Sequence, residues 1–201
     1  MMNDSQYSHT IKSGAVLSKH DGGDGALPHW FVMRDLKRRN ASLPAYKMLA
    51  ELGIKVFTPM VWKLVERQGR RIPQEIPFMQ DLLFVYSSRE ALDPIVARTK
   101  TLQYRFVRGG YQVPMKVNDE DMERFITAVS ASENPYYYTP EEITPNMLGR
   151  RVRIVGGTLN GYEGRLLKLQ GSRTKRIFVE LPEFLTAVVE VQPEFIQLLK
   201  S

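Results

Sequence analysis

The sequence predicts an α+β protein in two parts, a mixed helix-and-strand domain followed by a small five-stranded β-barrel, and three observations predict it. Up to about residue 130, short apolar runs suited to buried strands alternate with amphipathic helical segments. Residues 131–146 then carry Pro135, Pro140 and Pro145 among Ser, Glu, Thr and three consecutive tyrosines, a composition that neither propagates a helix nor suits a central strand. Beyond them every segment reads as β, in short runs separated by Gly, Asn, Ser or Pro turns.

Taken in order, residues 1–27 mix Ser, Gly, Asp, His and Lys with few large apolar side chains and read as a disordered arm. The string Ser18-Lys19-His20-Asp21 has the residue types of a catalytic triad, but a floppy segment cannot hold nucleophile and base in register, so it reads as chance composition. Trp30-Phe31-Val32-Met33 is a buried strand ending in the cations Arg34, Lys37, Arg38 and Arg39. A helix follows, capped by Ser42, with Pro44 in its first turn and Gly53 as its stop. Lys55 to Val65 reads as one strand with Pro59 at a bulge, and Gln68-Gly69 as a hairpin tip between Arg67, Arg70 and Arg71. After a strand over Leu82 to Tyr86, Ser88 caps a second helix that Pro94 is expected to kink or split. Leu102 to Val107 is a further strand. The clearest helix has Asn118 as cap, Asp119, Glu120 and Asp121 in the first turn, and Met122, Phe125, Ile126 and Val129 on one face. Strand, helix, strand, strand, helix, strand, helix is a ferredoxin-like order with one helix added. Five β runs follow within residues 147–201, at 151–155, 163–169, 174–181, 185–191 and 195–198.

Composition narrows the function. The 201 residues are 43% hydrophobic, enough for a packed core, and no apolar stretch approaches the ~18 residues of a membrane span, so membrane insertion and secretion are disfavoured. With no cysteine, thiolate metal sites and thiol nucleophiles are excluded and a reducing cytoplasm fits. The formal charge of +6 favours a polyanionic neighbour, and residues 147–201, with nine basic and five acidic residues, are the more basic part. His9, His20 and His29 offer no metal-ligand spacing, and the carboxylates fall in helix caps or the proline-rich stretch. No metal, no cofactor and no enzymatic activity are expected.

The segment from Gly149 to Gly164, Gly-Arg-Arg-Val-Arg-Ile-Val-Gly-Gly-Thr-Leu-Asn-Gly-Tyr-Glu-Gly, resembles the KOW motif of NusG-like transcription factors. An alternating strand there enters a loop in which Gly157, Gly161 and Gly164 permit positive φ or close backbone approach, while Leu159 and Tyr162 can plug the barrel end. Upstream, Trp30-Phe31-Val32, Val56-Phe57-Thr58-Pro59, Leu82-Leu83-Phe84-Val85 and Arg105-Phe106-Val107 resemble, in order, the NusG N-terminal (NGN) domain. The stretch Pro77-Phe78-Met79-Gln80-Asp81-Leu82 replaces the Pro-Gly-Tyr of general NusG proteins and is similar to the UpxY-like antiterminators of capsular polysaccharide operons in Bacteroides-type bacteria.

Composition gives a disordered arm over 1–27 and a linker over 131–146, and the resemblance implies an NGN-like domain over 28–130 and an SH3-like KOW barrel over 147–201. It further implies a cytoplasmic, monomeric antitermination factor that binds RNA polymerase and suppresses pausing or termination. Phe78 and Met79, with Phe57 and Tyr46, are expected to form an exposed polymerase-binding patch. Arg34, Lys37, Arg38, Arg39, Arg70 and Arg71 are expected to face single-stranded DNA of the transcription bubble. A ribosomal protein or a termination factor is the candidate partner of the barrel. The alternative is a ribosome- or RNA-binding KOW protein. The β-branched and glycine content of the tail, in which each Gly costs about 1 kcal/mol in a helix, predicts a barrel at rest, with the two domains as independent bodies.

Overall fold

The computed structural model describes residues 25–37, 43–168 and 174–199. Most of the expected arm, and Arg38, Arg39 and Ser42, lie outside these residues. The N-terminal half is built on a sheet of four main strands. These are β1 (His29–Asp35), β2 (Lys55–Phe57), β5 (Leu83–Ser87) and β6 (Leu102–Tyr104), in the order β2-β5-β1-β6 with every pairing antiparallel. With α1 (Ala45–Glu51) and α2 (Arg89–Arg98) as connections, this is the ferredoxin-like order read from the sequence. The small β7 (Lys116–Val117) adds to β1 before α3 (Asp119–Ser130).

Local chemistry explains the ends of these helices. Asn118 Oδ1 accepts the Glu120 and Asp121 N–H groups at 2.9 and 3.2 Å, and three acidic residues in the first turn complement the dipole of α3. Ser88 Oγ accepts the Ala91 N–H at the start of α2, which runs through Pro94 without a break. At α1 the Asp35 carboxylate, from the end of β1, accepts the Ala45 N–H at 2.6 Å. A cap supplied from ten residues away carries no signal in the sequence.

Two expectations about strands are corrected. Lys55 to Val65 is not one strand: Thr58 and Pro59 separate β2 from β3 (Met60–Arg67), which pairs only with β4 (Arg70–Pro77) as a two-stranded ribbon of its own. Proline cannot donate to a ladder, so the chain leaves the main sheet there. The expected linker is likewise not free chain. Its tyrosines form β8 (Tyr136–Tyr138), which pairs with β12 (Leu185–Val191) and extends the five predicted strands to a sheet of six. That sheet runs β13-β9-β10-β11-β12-β8, with β9 (Leu148–Ile154), β10 (Glu163–Leu167), β11 (Lys175–Leu181) and β13 (Ile196–Leu198). Alternate Tyr side chains suit a sheet edge.

The domains are not independent bodies. Along β1, Phe31 and Met33 face one layer, with Leu49 of α1 and Leu92 of α2, whereas Trp30 and Val32 face the other with Phe84, Phe125 and the barrel residues Val152, Ile177 and Leu185. Four strands at ~4.8 Å spacing make a sheet roughly 19 Å wide. Two helices cover one face, but a single helix about 10 Å in diameter cannot cover the other. The barrel covers the remainder: Phe184 meets Phe84 edge-on at 5.9 Å, Tyr137 lies 5.5 Å from Phe78 and 6.5 Å from Phe125, and Arg124 sits 5.8 Å from the Tyr162 ring. The helical penalty of the tail favours a barrel, but a barrel docks without refolding, so that penalty does not keep the halves apart.

Candidate functional site

The β3–β4 ribbon is in register from Met60 opposite Pro77 to Arg67 opposite Arg70. Gln68 and Gly69 close it with φ of 51° and 73°, the two positive values a type I′ turn requires, and its sense of twist matches the strands. Eight residues at ~3.4 Å carry the tip about 27 Å from the ribbon's base. Arg67, Arg70 and Arg71 are exposed there, and among the described residues none of the three forms an ion pair. One strand face of the ribbon carries Trp62 and Leu64, which are 63% and 67% exposed, with Glu75 directly across from Trp62 and Pro73 from Leu64.

Of the other predicted cations, Arg34 is held away from the tip and Lys37 meets it only through a cleft shared with Arg67. Arg34 shares the Asp81 carboxylate with Arg105, at 3.5 and 3.2 Å. Lys37 donates from Nζ to the Leu43 carbonyl at 2.6 Å. Lys37 and Tyr46 line a cleft of about 540 Å³ together with Arg67, Gln74 and Glu75 of the ribbon. Burial raises the Tyr46 phenol above its ordinary value, with the Glu75 charge adding to it.

The predicted apolar patch is half-buried, not exposed. Phe78, Met79 and Phe57 pack against the core shared by both halves, and Tyr137 of the barrel lies on Phe78. Tyr46 belongs to the opposite layer, with Phe31 and Leu49. The reason is the uncovered sheet face: an apolar group beside it is buried by whatever covers the sheet.

In the glycine-rich loop after β9, Leu159 is buried and Tyr162 donates its hydroxyl to the Phe178 carbonyl at 2.9 Å. Just past the loop, on β10, a Cβ on Gly164 would stand 3.0 Å from the Phe178 carbonyl oxygen and 2.7 Å from the Tyr162 ring, so glycine lets β10 approach β11 this closely. Gly157 and Gly161 hold φ of 65° and 83°. Burial raises the Tyr162 phenol, and it raises that of Tyr137 strongly. Among the described residues no group of three or more His, Asp or Glu could hold a metal ion, and no helix is long and apolar enough to cross a membrane.

Sequence reasoning misses Trp62, Glu75 and Arg105. In the sequence Trp62 is simply a β-former. The alternation of Trp62 and Leu64 with the smaller Val61 and Val65 is the available signal that one ribbon face is apolar.

Residues 28–126 match the family model described as transcription termination factor NusG. The matched segment, just under half of the chain, is similar to that family. A solved structure described as "Domain interaction in Thermotoga maritima NusG" aligns over 86% of this chain and 98% of its own, at 15% identity and a TM-score of 0.41. No curated protein matches the chain.

Proposed function

We propose that this chain is a NusG-like antitermination factor that binds RNA polymerase through its N-terminal domain and suppresses pausing or termination on a specific long operon, such as one for capsular polysaccharide synthesis. The observation that carries the reading is the family match over residues 28–126. The sequence Phe78-Met79-Gln80-Asp81-Leu82 in place of Pro-Gly-Tyr favours a specialised paralogue of the UpxY kind. Phe78 and Met79 form the centre of the polymerase contact, with Phe57 at its edge and Tyr46 around the ribbon base. Arg70 and Arg71 at the ribbon tip, with Arg34 and Lys37 nearer the sheet, face the exposed DNA strand. The domain limits are 28–130 for the polymerase-binding part and 147–201 for a KOW barrel that recruits a ribosomal protein or termination factor. The protein acts as a monomer in the cytoplasm.

Retention of native RNA polymerase on tagged protein tests the reading, with the double variant Phe78→Ala/Met79→Ala as control. The variant should lose about tenfold in affinity, the scale of one interface anchor; full retention by a folded variant would show that polymerase is held elsewhere. A second reading, an RNA-binding KOW protein, is favoured by one observation. Arg151 and Arg165 are direct cross-strand partners on β9 and β10, a like-charge pairing that costs stability unless an anion offsets it. Binding of ribosomal RNA, with no polymerase retained, would select it.

A further inference from the structure

A second cleft, of about 710 Å³, opens where the ribbon, the end of α3 and the barrel edge meet. Its two walls are built from the same kinds of group. On the barrel wall Tyr136 is half exposed, the Arg176 guanidinium lies 5.0 Å from its ring, and Glu190 accepts from Arg176 at 2.8 Å. That is an aromatic face, a cation and a carboxylate in sequence. On the ribbon wall Trp62 and Glu75 are cross-strand partners, so a ring and a carboxylate again stand side by side, ~5 Å apart at Cβ. Among the described residues no cation stacks on Trp62 and no ion pair engages Glu75.

We infer that this cleft binds an arginine side chain of a partner polypeptide, its guanidinium stacked on Trp62 and paired with Glu75. Three features point to that occupant. The indole is the strongest aromatic partner for a cation, and a planar guanidinium both stacks and pairs with a carboxylate. Glu133, also lining the cleft, adds a second carboxylate that forms no ion pair among the described residues, whereas Glu190 is already neutralised by Arg176. The chain as a whole is +6, whereas the cleft lining carries Glu75, Glu133 and Glu190 against Lys63 and Arg176, so its charge favours a cationic over an anionic occupant. Lys63 also lines the cleft, although strand alternation puts it on the ribbon face opposite Trp62. The floor, with Phe57, Phe78 and the buried Ser132 hydroxyl, which has no partner among the described residues, accepts apolar residues flanking the arginine and one further hydrogen bond. The cleft shares Phe57 and Phe78 with the proposed polymerase contact, but the arginine site is set by Trp62 and Glu75 and is tested with a peptide alone, so failure of either reading leaves the other standing.

The chain holds two tryptophans, and Trp30 is fully buried, so fluorescence that responds to added peptide reports Trp62. The probe is a short acetylated peptide with one arginine flanked by leucines, compared with the same peptide carrying uncharged citrulline. The full-length protein should give saturable Trp62 quenching with the arginine peptide and bind the citrulline peptide about tenfold more weakly, the scale of one cation–π interaction with its charge-assisted pair. Glu75→Gln and, by calorimetry, Trp62→Ala should each weaken binding by a similar factor, while Glu141→Gln, outside the cleft, should leave it unchanged. Trp62 is exposed and Glu75 stands at the open ribbon face, so the variants should keep the wild-type circular dichroism. Equal binding of the two peptides, no saturable signal, unchanged affinity in Glu75→Gln, or tighter quenching by a thymidine oligonucleotide than by the arginine peptide would each overturn the inference.

Discussion

Truncating Phe184 should release the barrel from the N-terminal sheet. The ring sits in the β11–β12 turn, beyond the ladder that joins those strands, so removing it leaves the barrel's own pairing intact. In the docked state it is partly buried and packs edge-on against Phe84 at 5.9 Å. Full burial of a Phe side chain contributes roughly 1.5–3 kcal/mol, and half of that is about 1 kcal/mol. An edge-to-face pair adds about 1 kcal/mol. Phe184→Ala should therefore shift the docked-to-undocked ratio by roughly 2 kcal/mol, about thirtyfold. Hydrogen exchange reads this directly. Amides of β1 and β5, whose Trp30, Val32 and Phe84 side chains face the barrel, should exchange faster, while those of β11 and β12 keep their protection. If Tyr137 must leave Phe78 before polymerase can bind, the same variant should bind polymerase more tightly, because apparent affinity scales with the competent fraction. Unchanged exchange across β1 and β5 would refute the claim that Phe184 holds the two halves together.

Other outcomes follow from single features. Reversing Arg70 and Arg71 to Glu should lower the salt slope of binding to single-stranded DNA by about one unit for each phosphate no longer neutralised, and a titration across ionic strength checks it. Asn118→Ala removes the acceptor for two N–H groups at the start of α3 and should cost about 1 kcal/mol in urea unfolding. Raising the pH should destabilise the folded state. Tyr137 and Tyr162 have phenol pKa values raised by burial above the ordinary 10.0, so the folded state holds protons that the unfolded state releases. Their contribution is complete below pH 10 and is lost as pH rises beyond it. Absorbance of tyrosinate followed together with exchange at β5 checks the sign.

Where a structural signal is local, the sequence carries it. The cap at Asn118, the acidic first turn behind it and the apolar face of α3 all lie within a dozen residues, and the helix forms as that pattern requires. The positive φ values at Gln68 and Gly69 follow from a two-residue turn between strands. For α1 the sequence points to Ser42 as the cap, whereas the carboxylate that accepts the Ala45 N–H belongs to Asp35, on another element. The Tyr136–Tyr138 stretch reads as linker because prolines flank it, and proline content says nothing about whether an edge strand finds a partner.

The helices, the order of the main-sheet strands, the β character of the tail and the basic ribbon tip were determined by the sequence alone, because each rests on backbone preference, hydrophobic period or charge within a short segment, whereas the split of β2 from β3 and the strand β8 were not. The tertiary structure decided which face of the N-terminal sheet lacked cover and that the barrel supplies it, so Phe78 lies under Tyr137 instead of in solvent. It also decided that Trp62 and Glu75 stand across a cleft from Tyr136, Arg176 and Glu190, residues up to 128 positions further along the chain. Such proximity depends on how much area each layer leaves exposed, a property of the packed elements together that no single segment carries.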